Sequence, residues 1–278
     1  WLLFNMVPML NEKGEVERYF GTYRDITDMV ATEQQLAVET KKAQETELLK
    51  QAFLTNMSYE IRTPLNNIIG YAGLFTSDHV EGDEPFFIEQ IRQSTGELLL
   101  LVNDILYISR LEANMEEYKR EAVDFASAFE GYCRNGLSTI KPGVQSVIVQ
   151  PYNRLVVDID ASHVSMIIQR LCNLSCMVTD SGSITVSYEY HRGELIILFE
   201  DTGKGFPEEV AAHVLDQHFA RREDGGLIGS GLDLPIVQLL TKQMGGTIEI
   251  QSDYGKGTSV WVSIPCTASV IEKKRNLE

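Results

Sequence analysis

Positive charge is scarce in this sequence. Its 278 residues carry 24 Lys and Arg against 40 Asp and Glu, a formal net charge of −16. A phosphate backbone would be repelled, so no nucleic-acid partner is expected, whereas a nucleotide pocket needs only local donors. No run of 18 or more apolar residues occurs and no signal peptide is visible, so no membrane-spanning helix is expected. Cysteine is sparse: Cys133, Cys172, Cys176 and Cys266 form no CxxC pair. Reduced thiols and a cytoplasmic setting are expected. Cys172 and Cys176 lie four apart, but no His or Cys pair at ligand spacing sits nearby, so buried packing is expected of them. An initiator Met is missing from the opening "WLLFNMVPML". The chain reads as a piece of a longer protein, with any membrane anchor outside it.

The length suggests about two domains, and what is present is patterned. "LNEKGEVERYFGTYRDI" reads as strand, turn at residues 11–14, strand. Two strands cannot bury a face alone, so residues 1–28 are expected to end a larger sheet. Residues 29–58 contain no Pro or Gly, and Leu36, Ala43, Leu49, Ala52 and Phe53 fall at helical spacing. A long signalling-type helix is expected there, paired as a coiled coil or solvated as a single connector. Pro64 lies in its continuation and should kink it. After a polar loop at residues 77–85, a second helix places Ile91, Leu98, Leu101, Ile105, Ile108 and Leu111 on one face. These helices form a hairpin that begins at about residue 45. The hairpin should dimerise into a four-helix bundle, with Leu98, Leu101, Ile105 and Ile108 facing its core.

Beyond about residue 120 the pattern turns α+β. "RLVVDID", "SITVSYEY" and "GELIILFED" read as strands, "ASHVSMIIQRLCNLSCMV" and "LDLPIVQLLTKQM" as helices, and "GTIEIQS" with "TSVWVSIP" as a closing hairpin. Two glycine-rich loops stand out. In "EDTGKGF", Asp201 can accept from an exocyclic amine, and Gly203 and Gly205 allow close approach to a flat ring. "GLIGSGLDL" precedes a helix, where backbone amides can cradle phosphates; Gly229 and Gly231 belong to it. Turn glycines explain either motif alone. The ordered pair around a strand–helix unit is more specific.

With these motifs the sequence resembles the sensor histidine kinases of two-component signalling. "FLTNMSYEIRTPLNNIIGY" is similar to the family's phosphoacceptor box, and "DITD" resembles the end of a PAS sensor domain. "DTGKGF" and "GSGLDL" resemble its glycine boxes, "HVLDQHFARRE" its phenylalanine box with Phe219, and "MGGTIEIQSDYGKGTSVWVSIP" its C-terminal hairpin. The resemblance implies an α+β multidomain chain: a dimeric helical hairpin, then an α/β sandwich of the ATPase type that binds ATP and magnesium. The implied division is 1–28 PAS-like strands, 29–58 signalling helix, 59–120 remainder of the hairpin, 121–270 ATPase-like domain and 271–278 tail. In the family, the sandwich phosphorylates a hairpin histidine, which passes the group to an aspartate of a response regulator.

The chemical positions depart from that pattern. Tyr59 stands where the histidine belongs. A phenol, with a pKa of about 10, is a poor nucleophile near neutral pH without a base. The family's asparagine box aligns with "RLCNLSCMVT", placing Arg170 and Leu174 at its two asparagines and Met177 at its lysine. Leu174 thus occupies the magnesium-ligand position, and Asn173 serves only if the alignment slips by one. Asp233 replaces a glycine beside the phosphate loop, an unfavourable place for an acid without a metal. A pseudokinase is therefore expected, acting through dimerisation and binding of a response regulator or another histidine kinase, with ATP bound weakly or not at all. An active kinase, natural or altered at residue 59, remains an alternative. So does a response-regulator phosphatase using Thr63, with Glu60 beside Tyr59.

Overall fold

The computed structural model describes residues 1–75, 84–113, 115–206 and 232–274, without the side chains of residues 42, 43, 45, 46, 48–54, 56 and 75. The loop expected at residues 77–85 falls mostly outside this description, as do Phe219, Gly229 and Gly231.

Residues 1–54 form one compact unit. Strands β1 (Leu2–Leu10) and β2 (Val16–Asp25) pair antiparallel. Asn11 builds their turn: its side-chain oxygen accepts from the backbone N–H of Lys13 and Glu15, at 3.0 and 2.9 Å, and Gly14 takes φ 78°. Every residue of both strands is exposed, so the ribbon buries neither face. Helix α1 (Thr27–Phe75) starts where Asp25 Oδ1 accepts from Thr27 N at 2.9 Å and from Thr27 Oγ1 at 2.7 Å.

Residues 55–278 cluster as the second unit. The α1 segment remains helical through Pro64 rather than ending there, and α2 (Glu84–Glu112) returns along it. Tyr71 of α1 meets Phe86 and Phe87 of α2, with ring centroids 6.1 and 5.8 Å apart. That register sets Pro64 opposite Ser94 and Met57 opposite Leu101, all four of them buried. Leu101 and Ile108 are each 5 % exposed within one chain, whereas Leu65, Ile69, Leu99, Val102 and Leu106 form the face left open. Within one chain the stripe read from the sequence is packed in part, with Leu98 and Ile105 half-buried beside the buried Leu101 and Ile108.

The α/β part contains β3 (Glu121–Asp124), α3 (Phe125–Gly136), a 3-10 turn at Leu137–Thr139, β4 (Val144–Val149), β5 (Tyr152–Ile159) and α4 (Ala161–Val178). It continues through β6 (Gly182–His191), β7 (Glu194–Asp201), α5 (Asp233–Gln243), β8 (Thr247–Asp253), β9 (Gly257–Pro265) and β10 (Ala268–Lys273). One sheet has order β10-β5-β3; the other runs β4-β6-β7-β9-β8, antiparallel except for the parallel pair β4–β6. β10 reaches Lys273, into the expected tail of residues 271–278. Phe125, Phe129 and Tyr188 cluster on the sheets' inner face, with Phe129 and Tyr188 rings 4.5 Å apart. Asp160 caps α4 by accepting from His163 N at 2.9 Å and also holds Lys119 N at 2.8 Å.

Candidate phosphoacceptor and nucleotide site

Residue 59 lies on the α1 arm of the hairpin. The Tyr59 side chain is 45 % exposed, and the Arg62 guanidinium sits 5.2 Å from its ring centre. Glu60 is half-buried. Thr63 is exposed, and its hydroxyl donates to the Tyr59 carbonyl one turn back at 3.3 Å. The helix thus displays Tyr59 and Thr63 together, with the Arg62 cation near the phenol ring.

The nucleotide-type pocket lies among α4, α5 and the larger sheet. Leu171, Leu174, Phe199, Phe206, Leu234 and Ile250 line it, with Ser175 and Asp201 as polar groups. Asp201 ends β7; its Oδ1 accepts from Gly203 N at 2.9 Å and its Oδ2 from Ser175 Oγ at 3.4 Å. Burial pushes its carboxyl above the usual range, against the pull of the Gly203 and Ser175 hydrogen bonds. An acceptor at the end of an apolar slot suits an aminopurine edge. The slot itself is narrow, about 10 Å³, room for one water. The two glycines have a nearer cause than a ligand: a Cβ on Gly203 would sit 2.6 Å from Val178 O, and one on Gly205, at φ 62°, would collide with Asp253 O.

Among the described residues, the positions aligned with the family's asparagine box offer no magnesium ligand. Leu174 is buried in the pocket wall and has no lone pair to offer. Asn173 faces away: it is exposed, and its side-chain oxygen accepts from Thr139 Oγ1 at 2.9 Å. A one-residue slip therefore does not bring it to the site. Met177 is 47 % exposed. Among the described residues no group of three or more His, Cys, Asp or Glu is placed to hold a metal.

Asp233 has a partner that sequence reasoning missed. Arg170 of α4 reaches Asp233 Oδ1 through Nη1 at 2.8 Å. The same guanidinium forks onto Asp104 of α2, Nη2 to Oδ1 at 2.6 Å and Nη1 to Oδ2 at 3.2 Å. The three side chains are 19 %, 12 % and 14 % exposed. Burial pulls the Arg170 pKa down, but the two carboxylates outweigh it and hold the guanidinium above its usual value. Asp233 is pushed up by burial and by Asp104, against the pull of Arg170. Both directions follow from one cation serving two acids, with Asp104 taking the bidentate share. Asp233 also stands in the first turn of α5, where the helix dipole favours an anion.

The fold and this site define a phosphoacceptor-type helical hairpin joined to a histidine-kinase-type ATPase domain. The family model "His Kinase A (phospho-acceptor) domain" matches residues 49–114, and "Histidine kinase-, DNA gyrase B-, and HSP90-like ATPase" matches residues 159–268. Histidine protein kinase DivJ of Caulobacter vibrioides is 32 % identical over 251 residues, covering 88 % of this chain and 42 % of that protein. Hybrid signal transduction histidine kinase L of Dictyostelium discoideum is 30 % identical over 277 residues, covering 91 % of this chain and 15 % of that protein. Among solved structures, histidine kinase ThkA in complex with response regulator protein TrrA matches at TM-score 0.61 and 18 % identity, covering 95 % of this chain and 75 % of that one. The chain belongs to the sensor histidine kinase family of two-component systems. It spans less than half the length of those two curated relatives. No helix among the described residues is long and apolar enough to cross a membrane.

Proposed function

We propose that this chain is a signalling pseudokinase of the family: it dimerises through the hairpin, receives a signal through α1, and acts by binding a response regulator or another histidine kinase. The observations that carry this reading are Leu174, buried at the position aligned with the family's metal ligand, and Asp233, held by Arg170. Tyr59, exposed and beside a cation, lacks the nucleophilicity of an imidazole. The β1–β2 ribbon, exposed on both faces, supports the reading of residues 1–28 as the end of a PAS-like sheet. The open face of Leu65, Ile69, Leu99, Val102 and Leu106 supports the homodimer.

ATP, if it binds at all, is expected to engage only its adenine end, through Asp201. Thermal unfolding with and without Mg-ATP tests this: a ligand at 100 times its Kd raises stability by about 2.7 kcal/mol. No shift at millimolar Mg-ATP supports the pseudokinase; a shift at micromolar concentration argues for an active kinase. The exposed Thr63 hydroxyl, one turn beyond Tyr59, favours a second reading as a response-regulator phosphatase, which needs no ATP site here. Faster loss of aspartyl phosphate from a regulator, abolished by Thr63→Ala, would establish it.

A further inference from the structure

We propose that Arg170, Asp104 and Asp233 form a latch that fixes the α/β domain against the second arm of the helical hairpin, a role distinct from nucleotide or phosphate chemistry. Asp104 belongs to α2, Arg170 to α4 and Asp233 to α5, so one guanidinium ties an arm of the hairpin to two helices of the domain. Its planar fork makes two bonds to Asp104 and one to Asp233, a geometry a flexible ammonium would not reproduce. The cluster is mostly buried, so salt screens it less than a surface pair.

Neighbouring contacts extend the same seam. Gln243 of α5 donates from Nε2 to the Glu116 carbonyl, just beyond α2, at 3.0 Å. Ile108 and Leu111 of α2 are each 5 % exposed, and the Tyr107 phenol is pushed up by burial and by the nearby Glu116 carboxylate. The Gln243 contact and the Arg170 cluster thus both join α5 to α2 or the residues just beyond it.

Two sequence departures of opposite sign acquire one explanation. Arg170 and Asp233 compensate each other across the domain, and Asp104 extends the pair onto the hairpin. The latch holds one placement of the domain on the hairpin. A signal or partner that pulls Asp104 away from Arg170 would release the domain while the Arg170–Asp233 bond keeps α4 and α5 together.

The test is a distance measurement on the full chain. Nitroxide labels go on Gln93→Cys of α2 and Ser146→Cys of β4, both exposed, while the four native cysteines are buried. Diluting labelled chain into excess unlabelled chain isolates the intrachain distance in a dimer. The parent should give one narrow distribution. Asp104→Asn should widen it at least twofold with the circular dichroism unchanged, and Glu112→Gln, an exposed acid on the same helix, should leave it as it was. An Asp104→Asn distribution as narrow as the parent's overturns the proposal. So does an Asp104→Asn chain that loses its folded signal along with its distance, because the residue would then support the fold rather than latch it.

Discussion

Arg170→Met is the most informative single perturbation of stability. It removes the cation that bonds both Asp104 and Asp233 and leaves two acids facing each other, at 14 % and 12 % exposure. Breaking a buried pair by removing one partner costs about 3–5 kcal/mol. Against a typical total of about 5–15 kcal/mol, that is a large share. For a unit of this size each kcal/mol lowers Tm by roughly 2–4 °C, so a fall of roughly 6–20 °C is expected. The loss should depend on pH. The Asp233 pKa already lies above its ordinary value, and without Arg170 it rises further. The native state then binds a proton that the unfolded state releases, so stability falls as pH rises through the window between the two values. The deficit should be smallest near pH 4 and fully expressed at neutral pH. The triple variant Asp104→Asn, Arg170→Met, Asp233→Asn should recover most of the loss, since neutral groups need no counter-charge. Denaturant unfolding of the parent, Arg170→Met and the triple variant at acid and neutral pH measures all of this. A loss below about 1 kcal/mol, or one that neither pH nor the triple variant relieves, would refute the reasoning.

Further expectations concern ligand, partner and chemistry. Calorimetry should show little advantage of ATP over adenosine, with or without magnesium; micromolar, magnesium-dependent ATP binding would mean that a residue other than Leu174 supplies the metal contact. Any adenosine binding should vanish in Asp201→Asn and weaken as pH falls toward the raised Asp201 value, because only the ionised carboxylate keeps both oxygens as acceptors. Leu99→Glu with Leu106→Glu should turn a dimer into a monomer in sedimentation, since both side chains lie on the open face; an unchanged dimer would move the interface elsewhere. Tyr59→His alone should not restore autophosphorylation, because Leu174 and the Arg170–Asp233 pair remain.

Much of the fold was legible because its elements repeat with simple periods. The alternation in β5, β6, β7 and β9 and the helical spacing of α4 are long enough to read without tertiary knowledge. Helix α3 was missed although Phe125, Phe129 and Cys133 recur every fourth residue; twelve residues with Gly131 inside give a weak pattern. β4 was missed as a short edge strand without clean alternation. At the site, Asp201 was legible, but Gly203 and Gly205 serve the protein's own close backbone approaches. The direction Asn173 faces was decided by the helix turn, as its one-residue offset suggested. The Arg170 cluster was not legible, because it depends on which surface packs first. Arg170 bonds residues 66 and 63 positions away, a pairing no local pattern records. The available signal was that two departures of opposite charge fell in motifs that flank one pocket.

The central claim, that this chain has the fold of a histidine kinase without its self-phosphorylation, meets its most direct test in one assay. Purified chain is incubated with labelled Mg-ATP, and incorporation is read separately as acid-labile and acid-stable phosphate. The account predicts no incorporation of either kind, with Tyr59 unmodified in the peptide map. Stoichiometric acid-stable phosphate on Tyr59 would contradict it, and acid-labile phosphate on any residue would contradict it equally.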